Sequence, residues 1–317
     1  MNPVSLPLLI LLFGTLFYLV IPGIGAFAVR KQWRVFRRQV LTRASFPVLS
    51  YKGVREQEGS REQTIGSYQF FGALEAIEDD DIIWLRNGTL SVAVEMREVR
   101  LYMLPTKDFG VTVDGAGGQL PDRTPSVLRW HRMTSLTEGS KIFVAGTVVR
   151  RAGRAVFLAG RGDPLLVVMY DGPDETVVRR AIWCGRQRNE YWNQLTPLSL
   201  AGGILTLTVL AYLAIRPPLD TFSAVLASVG ALLPVLPLAP PGVALFFVYR
   251  HLWKEGRYRR ARRDLEILED GSSVDAQHAR HAGRVAALFE LLSLGCLVTG
   301  LLLNVVIALA VMSYFIP

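Results

Sequence analysis

Four long apolar stretches interrupt an otherwise ordinarily charged chain of 317 residues, and they dictate what it can fold into. A hydrocarbon core about 30 Å thick takes about 20 consecutive apolar residues to cross as a helix, each rising about 1.5 Å. The first stretch, residues 6–29, reaches that length. No basic region precedes it and no small-residue cleavage signal follows, so it reads as an uncleaved anchor and not as a signal peptide. The second covers residues 198–215, the third 221–249 and the fourth 285–316. The third contains Pro234, Pro237, Pro240 and Pro241. These cannot share one regular helix, because each removes a backbone donor and clashes with the preceding turn. It reads as a broken span, with a re-entrant hairpin as the alternative.

Charge orients the stretches. Arg30, Lys31, Arg34, Arg37, Arg38 and Arg43 follow the first; Arg179, Arg180, Arg186 and Arg188 precede the second, with only Arg216 after it. Arg250, Lys254, Arg257, Arg259, Arg260, Arg262 and Arg263 follow the third. Basic residues beside apolar spans mark the cytoplasmic side. The expectation is an α+β integral membrane protein with four transmembrane helices and one strand-rich soluble domain inserted between the first and second spans. The membrane would be a bacterial inner (plasma) membrane, with the soluble domain cytoplasmic. Residues 1–29 would be the anchor, 30–65 a basic juxtamembrane linker and 66–192 the domain, ending in an amphipathic helix. Residues 193–249 would hold two membrane segments, the second Pro-broken. Residues 250–284 would form a basic cytoplasmic loop and 285–317 the C-terminal membrane helix.

The net charge of +8 would suit a nucleic acid. The basic residues crowd beside the apolar stretches, however, so anionic lipid headgroups are the expected partner and nucleic acid is not. Two cysteines, Cys184 and Cys296, and no CxxC pair exclude a disulfide framework, a zinc ribbon and a RING site.

Between Arg43 and Trp192 short alternating runs are broken by Gly, Pro, Asn and Asp. Strands are predicted at 68–77, 82–86, 90–94, 99–104, 141–150, 155–158 and 165–170. Asn87-Gly88 predicts a type I′ turn between the second and third of these. Residues 107–125 read as a long loop. Gly72-x-Leu74 and Gly146-x-Val148 each precede a turn and an aromatic-Leu strand, which fits either a duplicated unit or an ordinary likeness between hairpins. Pro173, followed by Asp174-Glu175, opens a helix that leads to Tyr191-Trp192, an aromatic pair suited to the membrane interface.

Residues 141–148 (Lys-Ile-Phe-Val-Ala-Gly-Thr-Val), 156–158 (Val-Phe-Leu) and Leu165, Val167 and Val168, with the following helix, Trp192 and span, resemble the beside-a-membrane domain of GIDE-type proteins. The resemblance covers about residues 140–206 and implies a membrane-apposed β domain with a role in sensing or assembly. The ligase branch of that family carries a C-terminal RING, which this chain lacks, so ligase activity is not implied.

No catalytic, cofactor-binding or metal-binding constellation is expected, and the chain is read as non-enzymatic. His278-x-x-His281 with Asp275 reads as a solvated juxtamembrane helix, and Glu75, Glu78 and residues 79–81 (three Asp) as a solvated hairpin tip. Asn87-Gly88-Thr89 and Arg161-Gly162-Asp163 read as turn chemistry. Gly115, Gly117 and Gly118 lack the strand–helix context of a phosphate cradle. Arg179, Arg180 and Arg186 around Cys184 would favour its thiolate. Arg30, Lys31, Arg34, Arg257, Arg259, Arg260, Arg262 and Arg263 are the expected membrane-surface contacts. Asn304 and Glu290 are the expected interhelical polar residues. The expected function is to hold a β-rich domain at the cytoplasmic membrane surface for lipid sensing or complex assembly, with a membrane-protein partner or a second copy. The alternative is a transporter or channel subunit using the Pro-broken segment.

Overall fold

The computed structural model describes residues 5–50, 63–79, 81–97, 99–105, 123–132, 136–151, 153–160, 164–186, 190–215, 221–232, 235–269 and 276–315. They divide into two compact units. One is Trp33–Arg188 with Asp264–Val274; the other is Met1–Gln32, Asn189–Arg263 and Asp275–Pro317.

In the first unit β1 (Gln63–Glu78), β2 (Ile82–Asn87) and β3 (Leu90–Glu95) form an antiparallel meander. It is followed by β4 (Arg100–Met103), β5 (Ser126–Arg129), β6 (Lys141–Arg151), β7 (Arg154–Leu158) and β8 (Leu166–Tyr170). β3 pairs parallel with β7, β7 antiparallel with β6, and β6 antiparallel with β1, so five strands close on themselves. Counting barrel strands alone, their order is 1-2-3-5-4-1, the connectivity of OB-type barrels. Closure removes the edges that an open sheet would expose. Alternation sets the inward face: Ile83, Leu85, Val92, Val94, Val144, Val148 and Phe157 fill the core.

Gly72 and Gly146 mark where the two long strands change partners. β1 pairs with β6 up to Ala73 and with β2 from there on. β6 pairs with β8 up to Ala145 and with β7 from Thr147. A Cβ at Gly146 would press on the Leu165 side chain. The likeness between the two Gly-centred segments therefore reflects two antiparallel partners bending at the same task.

The predicted strands are present and β5 is additional. The turn after β2 differs from expectation: Asn87 pairs with Leu90, so the two loop residues are Gly88 and Thr89, and among non-glycine residues only Asp79 has a positive φ. Gly88 at φ 59 in the first loop position is the pattern of a type II′ turn. Residues 107–122, which include Gly115, Gly117 and Gly118, lie outside the described residues, as do Asp80 and Arg161-Gly162-Asp163.

Helix α2 (Ile21–Arg43) corrects the expected linker at 30–65, since the chain stays helical through Arg43. Trp33, Phe36 and Val40, spaced for one helical face, are buried. The Phe36 ring lies 4.2 Å from that of Tyr102 on β4, and Trp33 is 6.3 Å from Tyr102. Pro173 is the extended residue before a single 3-10 turn, and the helix proper, α3 (Val177–Cys184), starts four residues later. Six of its eight residues, Val177, Arg180, Ala181, Ile182, Trp183 and Cys184, are buried. It is a packed element of this unit.

The second unit is helical. It contains α1 (Ser5–Thr15), a π-turn (Leu16–Val20), the first half of α2, α4 (Leu195–Ile215), α5 (Thr221–Leu232), a 3-10 turn (Leu236–Leu238), most of α6 (Pro240–Glu269) and α7 (Ala276–Phe315). Among the described residues two helical stretches are long and apolar enough to cross a membrane, Leu8–Arg43 and Arg280–Phe315. The expectation of four spans is corrected to two. The second apolar stretch gives the shorter apolar helix Leu195–Leu210, about 24 Å long, and the prolines of the third cut it to Thr221–Leu232, about 18 Å. The second of these falls short of a core about 30 Å thick, whereas α4 as a whole is about 31 Å long. Only 22% and 11% of the apolar windows of the two long helices are buried inside the protein, whereas the core helix of a soluble domain would be mostly covered. Leu291, Leu302 and Val306 on α7 are each more than half exposed. The two helices fit membrane association.

The segment expected as a basic loop at 250–284 is helical over most of its length, in α6 to Glu269 and in α7 from Ala276. The two run antiparallel, with Gly256 against Ala286 and Phe289, and Gly300 against Gly242 and Leu245. Glycines at these crossings let the backbones approach closely.

Candidate functional site

Side-chain donors gather at two proline positions of the helical unit, and a buried asparagine takes part at each. Pro240 has no N–H to offer the Leu236 carbonyl four residues back. Asn304, 1% exposed on α7, donates from Nδ2 to that oxygen at 2.6 Å. A Cβ at Gly242 would collide with the Asn304 amide, so glycine is what admits it. The Asn304 Oδ1 is buried without a hydrogen-bond partner among the described residues.

The same construction recurs at Pro22, which has no N–H for the Tyr18 carbonyl. Tyr191 Oη donates to Tyr18 O at 2.8 Å, Ser199 Oγ donates to Phe17 O, and Asn193 Nδ2 donates to Pro22 O at 3.0 Å. Asn193 Oδ1 in turn accepts from Leu195 N at 2.9 Å and caps α4. A Cβ at Gly25 would overlap the Asn193 amide. Sequence reasoning singled out Asn304, gave Tyr191 an interface role, and missed Asn193 and Ser199. The available signal was Pro22 with Gly25 inside an apolar run, followed by the polar Asn193-x-x-Thr196 just ahead of the next one.

The expected membrane-surface arginines divide into two groups. Arg30, Lys31 and Arg34 are exposed on α2, and Arg30 Nε lies 4.0 Å from Glu190. On α6, Arg260 grips Glu290 of α7 through both oxygens, at 2.6 and 2.7 Å. Arg259 donates to Glu255 at 2.8 Å and lies over the Phe289 ring. Glu290 thus meets α6 from α7, and Arg259 and Arg260 face α7 and are partly buried. Their carboxylate and ring partners explain the departure. Arg263 is partly buried, and a Cβ at Gly283 of α7 would meet its Nη1. Arg257 stacks over Trp253 at 4.9 Å, and Arg262 is exposed.

The barrel surface is largely self-satisfied. Trp84 Nε1 donates to Glu78 at 2.7 Å, Arg86 and Ser91 donate to Glu75, Arg97 pairs with Asp81 at 3.2 Å, and Arg154 lies over the Trp84 ring. The carboxylates of the hairpin tip are therefore held apart by separate donors. Among the described residues no three His, Cys, Asp or Glu side chains are grouped to hold a metal. His281 is exposed; Asp275 and the His278 side chain lie outside the described residues.

Three arginines bind the barrel unit together. Arg37 donates to Gly185 O at 2.8 Å, and Arg180 donates to Pro105 O and to Asp171. Arg186 forms a buried ion pair with Asp264 at the C-terminal end of α6, their side chains 10% and 3% exposed. Cys184, 1% exposed, is pushed up to about 12 by burial, which outweighs the opposing Arg180 charge. The expected thiolate stabilisation is reversed, because desolvation of a buried anion exceeds what one guanidinium returns.

Compared with known proteins, the chain matches no protein-family model, no curated protein and no solved structure.

Proposed function

We propose that the chain is a non-enzymatic membrane protein. In this reading its two long apolar helices anchor an OB-type barrel at the cytoplasmic surface of a bacterial inner membrane, for lipid sensing or complex assembly. The observation that carries this is helix α2. It belongs to an apolar stretch that begins at Leu8, and its last three turns are buried under the barrel unit through Trp33, Phe36 and Val40. The weak likeness to GIDE-type domains agrees with a membrane-apposed role, and the basic residues following the first stretch and preceding the last agree with a cytoplasmic barrel.

A photoreactive side chain at Arg97, 73% exposed on the barrel, tests the assembly role in isolated membranes. Defined adducts, with a second copy or with another membrane protein, are expected. Absence of any adduct from several exposed barrel positions would remove the assembly reading. The transporter-subunit reading draws on the helix break at Leu236–Leu238, since discontinuous helices line substrate paths. It requires solute or ion flux in reconstituted vesicles, and the anchor reading expects baseline flux.

A further inference from the structure

The two buried asparagines of the helical unit differ in one respect. Asn193 uses both ends of its amide, with Nδ2 on Pro22 O and Oδ1 accepting from Leu195 N. Asn304 uses only Nδ2, on Leu236 O at 2.6 Å, and its Oδ1 is buried without a hydrogen-bond partner among the described residues. A second acceptor lies beside it. The carbonyl of Pro237 would ordinarily receive an N–H from three or four residues on, but those residues are Pro240 and Pro241, which have none. A Cβ at Gly242 would lie 2.7 Å from Pro237 O and would collide with the Asn304 amide, so both groups converge on Gly242. Gly242 also carries the first N–H of α6, because Pro240 and Pro241 precede it. The first N–H groups of a helix have no acceptor within it.

We propose that Asn304 Oδ1, Pro237 O and Gly242 N–H bind one water molecule at the break between α5 and α6. Two acceptors and one donor match a water's two hydrogens and a lone pair, and three bonds is the usual number for a buried water. Leaving the two oxygens unmet in a buried place would be costly, which gives the water its hold. The collisions that a Cβ at Gly242 would make limit the occupant to one small molecule. A cation suits the set poorly, because both oxygens are uncharged and the N–H stands at the positive start of a helix. An anion would be repelled by the two oxygens. The water completes what the Asn304 amide begins at Leu236 O, and it closes the broken segment from inside. The site lies in the packing of α6 against α7, goes beyond the anchor reading and does not depend on it.

The test uses the full-length chain in mild detergent, with isotope-labelled asparagine and glycine on a deuterated background. Magnetisation transfer from water is read by nuclear magnetic resonance in the rotating frame, where its sign separates a bound water from hydrogen exchange. The wild type should show transfer from water to the Asn304 side-chain amide and to Gly242 N–H. The Asn193 amide, buried and bonded at both ends within the protein, should show none. Asn304→Leu should lose the Gly242 signal. If that variant does not fold, the contrast between Asn304 and Asn193 in the wild type decides alone. Melting temperatures in sodium, potassium and choline chloride at equal ionic strength should coincide. Silence at Asn304 and Gly242, or an equal signal at Asn193, would overturn the site. A saturable rise in melting temperature specific to sodium or potassium would also overturn it, by putting a cation in the water's place.

Discussion

Asn193 and Asn304 show how a single side chain can decide whether a broken apolar helix is tolerable. A carbonyl freed by proline and kept from water costs several kcal/mol unless a neighbour supplies a donor. Asn304 adds its amide to the Leu236 carbonyl, which Pro240 cannot serve and Ala239 N–H reaches at 3.0 Å, and Asn193 donates to Pro22 O beside the break; a Cβ at Gly242 or Gly25 would collide with these amides. Replacing either with leucine preserves volume and removes the donor, so Asn193→Leu and Asn304→Leu should each lower stability by about 0.6 to 2 kcal/mol. Detergent melting would show this, and baseline flux in both variants would separate a sealing role from a solute path. Cys184 gives a second prediction at this scale. Its thiol should resist alkylation at pH 8 in the folded protein and react on denaturation. Burial raises its pKa from 9.0 to about 12, so the unfolded chain ionises first. Its contribution to stability is complete below pH 9 and is lost as pH rises from 9 toward 12. Substitution of Cys184 by alanine should flatten that decline.

Among the elements, α6 departs furthest from the sequence reading. Its arginine run looked like a solvated loop because charge density alone cannot distinguish a loop from a helix whose charges have partners. Arg260 meets Glu290 across thirty residues, and Arg186 meets Asp264 across seventy-eight, distances that no local pattern reports. The barrel strands were legible for the opposite reason. Period-two alternation and Gly-marked turns are local, and seven of the eight strands follow from them. β5 was missed because it is four residues long and adjoins a Gly-rich stretch. The parallel closure of β3 on β7 was invisible, since it joins strands about sixty residues apart. The buried pair at the end of α6 yields the prediction at this scale. Asp264→Leu or Arg186→Met should each cost about 3 to 5 kcal/mol by stranding a buried charge, while the double replacement Asp264→Leu/Arg186→Met should recover much of the loss. Thermal melting of the four proteins of that cycle measures the coupling directly. Loss in the double variant equal to the sum of the singles would show that the two residues do not act as a pair.

At the scale of the whole molecule, apolar stretches and basic flanks were readable from composition, but their number as spans was not. Counting residues treats a proline-cut stretch as one length, whereas among the described residues the structure gives only shorter apolar helices at two of the four places. The two long helices still agree in direction: basic residues follow the apolar part of Leu8–Arg43 and precede that of Arg280–Phe315. On the proposed topology both would put the intervening barrel on the cytoplasmic side. Accessibility of one cysteine on that barrel tests this most directly. Arg97→Cys in a Cys296→Ser background occupies an exposed position, and Cys184 stays buried and silent. In carbonate-washed membranes prepared after labelling with an impermeant maleimide, position 97 should be unlabelled when intact cells were treated and fully labelled when inverted vesicles were. Labelling in intact cells, or loss of the protein from the washed membranes, would contradict a membrane-anchored barrel facing the cytoplasm.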